Sequence, residues 1–524
     1  MSSRPLPLFP PPGGDPWRLP HPAPTTLLAL WPGSKPPLQE MVAEALIEHS
    51  PESVLVGELS SPPEGALWTL VVDVPAPIDA RVILFAESAH PEGAADLDAA
   101  CRDCRWVVGM ELLLSPERPL RAFVAAMRMA QAITPGTPAI LDVASSTWHG
   151  TGSLERWFAP VDADPPTWIL WSAHAVCRDR EQRPGHPSWI RSAGLWRCGL
   201  PELEILDLPT EHIPAGVALV HAVAELLLEA PPPAPGERWT IGQEIDVALV
   251  PWQAVVELLP PEVPGSLASR GLTPEASQAA TLTHPLGGVR GVICGPEPRG
   301  TYRKLWSWPE AAIRRLAAGD ALIQQSTLAV RRSKRMAQRH LPQLLEAVRL
   351  LSEAHALEAP SAGGVRQRHA VERGAPRVLV AAVFDPVVER FVESDDLRRA
   401  DARDLEGPHG ASASFDSPSP QAPKTKGEAH TEREPDGADV EDRLERRWIE
   451  LRELSEEAVS GTIVVGSAAG EPAGSGRSAT VSLGAITDWQ VLVDGGALGP
   501  DEAEWLPEAV RRWLAATATE RSPS

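Results

Sequence analysis

A chain of 524 residues is too long for one hydrophobic core and predicts two or three domains. Apolar residues at 43% and charged residues at 23% are the proportions of a soluble globular protein, while a formal net charge of −22 disfavours nucleic-acid phosphates and anionic lipid, so neither nucleic acid nor membrane is expected as a partner. No apolar run approaches the roughly 20 residues that cross a bilayer; the lead has no continuous apolar signal core and the five Cys follow no regular framework, which together point to the cytoplasm.

Residues 1–24 hold nine Pro and predict a disordered lead, because Pro lacks an N–H and fixes φ. From 25 to 358 the pattern is that of an α/β region, with a subdomain division offered by the Pro run near 231–240. Apolar runs at Leu27–Trp31, Val54–Val56, Leu67–Val74, Arg81–Phe85 and Ala139–Val143 read as strands, and Cys104–Leu114 as a strand or mixed element. Helical spacing marks Leu38–His49 and Pro119–Ala132. Further strands are predicted at Trp168–Ala175, Glu202–Leu208, Val247–Val250 and Val289–Cys294, with Pro187–Gly199 a turn-bearing segment and helices at Ile213–Glu229 and Pro309–Ala318. The longest helix is predicted over 327–355, where Ala337, Leu341, Leu344, Val348 and Leu351 form a narrow apolar seam; Pro342 inside it predicts a kink or two helices in sequence.

After a connector at 359–375, strands are predicted at Arg377–Phe384, Arg446–Leu454, Val459–Val465, Ala479–Leu483 and Asp488–Val493, then a closing helix Pro500–Ala515 and a tail at 517–524. The stretch 404–439 has eight carboxylates, three basic residues and only Leu405 and Phe415 as large apolar side chains, too little to offset the entropy of ordering, and predicts disorder. The chain as a whole reads as multi-domain α+β: an N-terminal α/β region and a small strand-rich unit at 376–516 interrupted by that insert.

Two resemblances add to this reading. Trp448, Gly461, the Ile486–Asp488–Trp489 cluster and Gly499 resemble a small bacterial domain, domain of unknown function 2314, whose first strand Arg377–Phe384 resembles. The resemblance implies that 404–439 is an insertion inside one domain, which loop-closure entropy tolerates because it grows only logarithmically with length. Arg446–Arg447 depart from that family's acidic or His residue before the Trp. Ala193–Gly194–Leu195, Arg197–Cys198–Gly199 and Pro201–Glu204 resemble a second bacterial family, domain of unknown function 4026, to which Ser326–Thr327, Arg331, Arg332 and Ala337 are also assigned. Neither resemblance implies an activity.

Candidate chemistry comes from several clusters. Arg197 with Glu202 and Glu204 is the sharpest catalytic candidate: two carboxylates two residues apart on a strand share a face, and such a pair can do acid/base work. The competing structural reading pairs Arg197 with Glu202 or Glu204 to fix the turn, and is preferred. His174, Cys177, His186 and Cys198 have the ligand types of a zinc site but spacings of no known module, so no metal and no cofactor is expected. Cys101–Cys104 is a lone CxxC that follows a helical stretch and reads as packing, and Asp142 with Ser145 or Ser146 reads as a helix cap. Arg331, Arg332, Lys334, Arg335 and Arg339 read as a solvated helix face. The sequence contains no GxSxG, P-loop, HExxH or GxGxxG motif. Two functions therefore stand: a non-enzymatic protein making protein–protein contacts through Trp448, Asp488, Trp489 and the acidic insert, and a hydrolase-like enzyme built on Arg197, Glu202 and Glu204 with His174 nearby.

Overall fold

The computed structural model describes Trp17 and residues 24–89, 99–160, 163–177, 185–242, 245–256, 259–270, 289–296, 308–318, 326–353, 377–385, 390–391, 445–455, 458–465, 478–493 and 496–520. The chain is α+β and forms two compact units, Met1–Ala329 and Val330–Ser524.

The first unit contains two sheets. The first has the order β2-β3-β4-β5-β1-β6-β7, built from β1 (Thr25–Trp31), β2 (Val54–Gly57), β3 (Trp68–Val74), β4 (Ala80–Ser88), β5 (Trp106–Leu112), β6 (Ala139–Asp142) and β7 (Thr147–Gly150). Every pairing in it is antiparallel. Its helices are α1 (Gln39–His49), the short α2 (Ala99–Arg102), α3 (Pro119–Ile133) and α4 (Thr151–Trp157). In α3, Phe123, Met127 and Ala130 recur at the spacing of one helix face and are buried with Leu27 and Ala29 of β1 in a single apolar core.

The second sheet has the order β11-β12-β13-β10-β9-β8, from β8 (Ser172–Cys177), β9 (Pro187–Ala193), β10 (Glu202–Pro209), β11 (Arg238–Gly242), β12 (Ile245–Pro251) and β13 (Arg290–Cys294); β10 and β13 are parallel and the other pairs antiparallel. Helix α5 (Ile213–Leu227) covers one face. Gly216 lets it approach closely, since a Cβ there would stand 2.5 Å from Ile190 and 2.7 Å from Leu208. Short helices α6 (Trp252–Val256) and α7 (Glu310–Ala318) complete the unit. Trp17, inside the lead expected to be disordered, is buried here and its indole N–H donates to Pro233 O at 3.0 Å.

The second unit holds α8 (Thr327–Arg339) from residue 330 on, α9 (Leu341–Glu353), and a sheet ordered β18-β17-β16-β14-β19-β20 with β15 paired to β14; all are antiparallel. The strands are β14 (Arg377–Asp385), β15 (Arg390–Phe391), β16 (Glu445–Leu454), β17 (Ala458–Val465), β18 (Ser478–Ser482), β19 (Ile486–Val493) and β20 (Gly496–Leu498), followed by α10 (Leu506–Glu520). Ala381 stands opposite Trp448 and Val380 opposite Trp489, so the chain after 440 returns to the strand before 404 and pairs with it on both sides. The insert 404–439 lies outside the described residues.

The long apolar seam is carried by two helices in sequence, one of the two outcomes expected from Pro342; they meet at His340, with Pro342 in the first turn of α9, where no amide donor is required. Several other expectations change. That seam, Ala337, Leu344, Val348 and Leu351, shares a core with Val378, Ile449, Trp489 and Val491, so the helix groups with the second unit although the N-terminal region was drawn to 358. Trp168 falls in a 3-10 turn, Thr167–Leu170, ahead of β8. Pro187–Ala193, read as a turn segment, is a strand, and Asp142–Ser145 caps no helix but closes the β6–β7 hairpin.

Trp489 is fully buried and its indole N–H donates to Ala337 O at 3.3 Å. Trp489→Ala is expected to cost the second unit about 3–5 kcal/mol, whereas Trp505→Ala, at a residue 62% exposed, is expected within about 0.5 kcal/mol of wild type. Urea unfolding read by hydrogen exchange at second-unit amides measures both.

Candidate functional site

The corner between β9 and β10 holds most of the sequence candidates. Gly194 and Gly199 bracket a 3-10 turn, Leu195–Cys198, and both have left-handed backbone, φ 112° and 78°. Gly194 also tolerates no side chain, because a Cβ would lie 2.6 Å from Leu170 O. That close approach carries Arg197 inward. Its guanidinium grips Asp142 with two bonds of 2.7 and 2.8 Å, and its Nε donates to Leu170 O at 3.0 Å. Both side chains of this ion pair are completely buried, and the guanidinium also lies 4.5 Å from the Phe123 ring centroid. Ser145 donates to the second Asp142 oxygen. Ser172 donates to Ser145 O and sits 2.6 Å from His174 Nε2.

Glu202 is held elsewhere. It accepts from Ser192 Oγ, from Gly194 N at 2.7 Å and from Trp196 N at 3.3 Å, which fixes the entry to the turn. Glu204, fully buried, accepts from Arg270 at 2.9 Å and Arg290 at 3.0 Å. Burial alone would raise its carboxyl, but the two arginines overcome that and hold it below the usual carboxylate range. Arg270 is sandwiched, 4.3 Å from the Trp189 centroid and 5.1 Å from that of Trp252. Arg191 stands over Trp189 at 5.3 Å, and burial, with the like charge of Arg290, lowers its pKa.

Arg197, Glu202 and Glu204 thus do not converge. Each answers to a different set of groups, and the expected pairing of Arg197 with Glu202 or Glu204 is replaced by Asp142, contributed from 55 positions earlier. The zinc-type candidates are also apart. His174 bonds Ser172, Cys177 ends β8 opposite Ser188, His186 is exposed, and burial pushes the Cys198 thiol up to about 12. Among the described residues no three His, Cys, Asp or Glu side chains gather as a metal-ligand group. In the CxxC pair both Cys101 and Cys104 are buried, and burial raises the Cys104 thiol.

An open site exists in the second unit. A cleft of about 230 Å³ is lined by Arg332, Ser333 and Met336 from α8, Asp488, Trp489 and Gln490 from β19, and Gly499–Glu502. Arg332 grips Asp501 with bonds of 3.1 and 2.6 Å. Asp488 accepts from Trp489 N at 2.8 Å, and Glu502 from Gly499 N at 3.1 Å. Of the sequence-predicted interaction residues, Asp488 reaches the cleft half-buried, the Trp489 ring is core, and Trp448 is placed by backbone pairing on β16. Sequence reasoning missed Arg270, Arg290 and Asp501 and took Asp142 for a helix cap, since a lone charged residue carries no sign of a partner so far along the chain.

Residues 173–283 match the family described as protein of unknown function (DUF4026), C-terminal. The match takes in the Gly194–Glu204 corner and Arg270. It extends well past Pro209 and stops short of Ser326–Ala337, so its position differs from the one expected. No curated protein matches the chain, and no solved structure does. No helix among the described residues is long and apolar enough to cross a membrane.

His149 gives the first unit a pH dependence. Its ring packs 5.4 Å from Phe158 and 6.4 Å from Phe123, Nδ1 lies 3.2 Å from Ser153 Oγ, and Nε2 is buried without a partner. Burial lowers its pKa. A folded pKa below the unfolded value of about 6.5 means that the unfolded chain binds the proton first. The contribution is complete above that value and is lost as pH falls through it. Thermal unfolding of wild type is expected to drop between pH 7.5 and 5.5, and the drop is expected to shrink in His149→Leu.

Proposed function

We propose that the chain is a non-enzymatic cytoplasmic protein that acts by binding polypeptide partners, with the second-unit cleft accepting a basic side chain of the partner. The observation that carries this reading is the cleft's charge and size. Asp488, Asp501 and Glu502 line the cleft together with Arg332, so acidic side chains outnumber basic ones in its wall. At about 230 Å³ the space is below the roughly 300–1,000 Å³ usual for small-molecule and cofactor sites, which favours one inserted side chain. The acidic composition of 404–439 supports a basic partner as well. The resemblance of 376–516 to domain of unknown function 2314 belongs to this reading and adds no activity to it. Arg197 and Glu204 are engaged in buried ion pairs, and Glu202 accepts hydrogen bonds from Ser192, Gly194 and Trp196, which favours the binding reading over the hydrolase one.

The test is a titration of the full chain with Nα-acetyl-arginine amide and its neutral isostere Nα-acetyl-citrulline amide, followed by ligand-observed NMR. Saturable binding of the arginine compound, at least tenfold stronger than the citrulline compound and abolished by Asp488→Lys, is expected. Equal binding of the two, or binding that survives Asp488→Lys, rejects the cleft as the contact.

A further inference from the structure

Strand β2 ends the first sheet, and no strand of the described structure covers its outer side. All four of its residues are exposed, including Val54, Leu55 and Val56 at 60, 46 and 51%. Edge strands normally carry charge or Pro to block pairing with another chain; this one presents three aliphatic residues in a row. The surroundings extend the patch. The Trp68 indole N–H donates to Pro37 O at 2.8 Å, and Gln39 Nε2 donates to Glu58 at 3.3 Å, so the start of α1 and the start of β3 meet at the same corner. That corner adds Leu38, Met41 and Leu67, each at least 50% exposed. Among the described residues, half of the exposed large hydrophobic side chains lie on β2 and on the two segments that meet beside its end, and concentrated apolar exposure marks an interaction surface.

Charge identifies the occupant. Between residues 36 and 80 the sequence has eight Asp and Glu and no Lys or Arg. Glu52 and Glu58 bracket β2 directly, and both are exposed. A second copy of this chain fits poorly: antiparallel pairing of β2 with itself about a twofold axis brings Glu52 of one copy to Glu58 of the other, like charge against like. We propose that β2 is a docking edge for an extended apolar segment of a partner protein, flanked by Lys or Arg, that adds as a further strand. The backbone of the added strand supplies hydrogen bonds, its alternate side chains cover Leu55 or Val54 and Val56, and its basic ends meet Glu52 and Glu58. This edge stands independently of the cleft in the second unit.

The test uses the full chain and three fluorescein-labelled decapeptides with the same central Val/Thr strand: one flanked by two Lys at each end, one flanked by two Glu, and one Lys-flanked with a central Pro. Anisotropy is expected to show the Lys-flanked peptide binding at least tenfold tighter than the other two. Leu55→Lys, a change at an exposed residue that leaves the core untouched, is expected to abolish it, and Glu52→Lys with Glu58→Lys to reverse the preference toward the Glu-flanked peptide. Equal binding of all three peptides, no binding of the Lys-flanked one, or binding unchanged by Leu55→Lys overturns the proposal. A concentration-dependent dimer in sedimentation that Leu55→Lys dissolves would overturn it in favour of a second copy.

Discussion

The contact on which the first unit depends is the buried pair of Arg197 and Asp142. Removing both charges from water costs several kcal/mol per ion, and only a bidentate geometry with the remaining donors satisfied offsets that. Here Nε and Nη2 of the guanidinium also donate to Leu170 O, Ser145 donates to the carboxylate, and the Phe123 ring lies against the guanidinium. The pair fastens the end of β6, in the first sheet, to the turn between β9 and β10 in the second. Gly194 makes the joint feasible because any side chain there would strike Leu170. A second ionic knot, Glu204 with Arg270 and Arg290, lies farther along β10 and braces the sheet's other connections.

In these knots the candidate catalytic residues make the kind of structural contact preferred from sequence alone, though with other partners. A working general acid or base needs a carboxyl that can reach both substrate and solvent. Glu204 is enclosed and held ionised, Glu202 is saturated by amide and hydroxyl donors, and Arg197 is sealed against Asp142. Two open surfaces among the described residues have a different character. The cleft beside Asp488 is small and lined by Asp488, Asp501, Glu502 and Arg332, and the β2 edge is apolar between exposed carboxylates. Both surfaces are proposed here to take basic polypeptides, in keeping with the overall charge of −22.

Much of the fold was legible because local apolar pattern and burial coincide. The β14, β16 and β19 strands follow alternating or continuous apolar runs, and α5 follows an apolar face ended by Pro231–Pro233. The return of the chain across the 404–439 insert to pair with β14 was legible only through a family resemblance, since spacing says nothing about a partner beyond a long loop. The misses have physical causes. β9 opens on Pro187 and carries Arg191, so it lacks a strand's usual composition, while Thr167–Leu170 has that composition but turns. The seam of α8 and α9 was correct, yet its partner surface, from Val378 to Val491, lay too far along the chain to be identified from periodicity. The Arg197 site was recognised as a site and misassigned in its partner, because a buried charge must find a counter-charge but sequence does not say which.

A double-mutant cycle on Asp142 and Arg197 tests this account most directly, with urea unfolding of the first unit as readout. Asp142→Leu and Arg197→Met each leave one buried charge alone, so each is expected to destabilise by about 3–5 kcal/mol, while the double mutant recovers most of that loss. Additive losses in the double mutant, or single mutants as stable as wild type, would contradict the claim that this pair joins the two sheets.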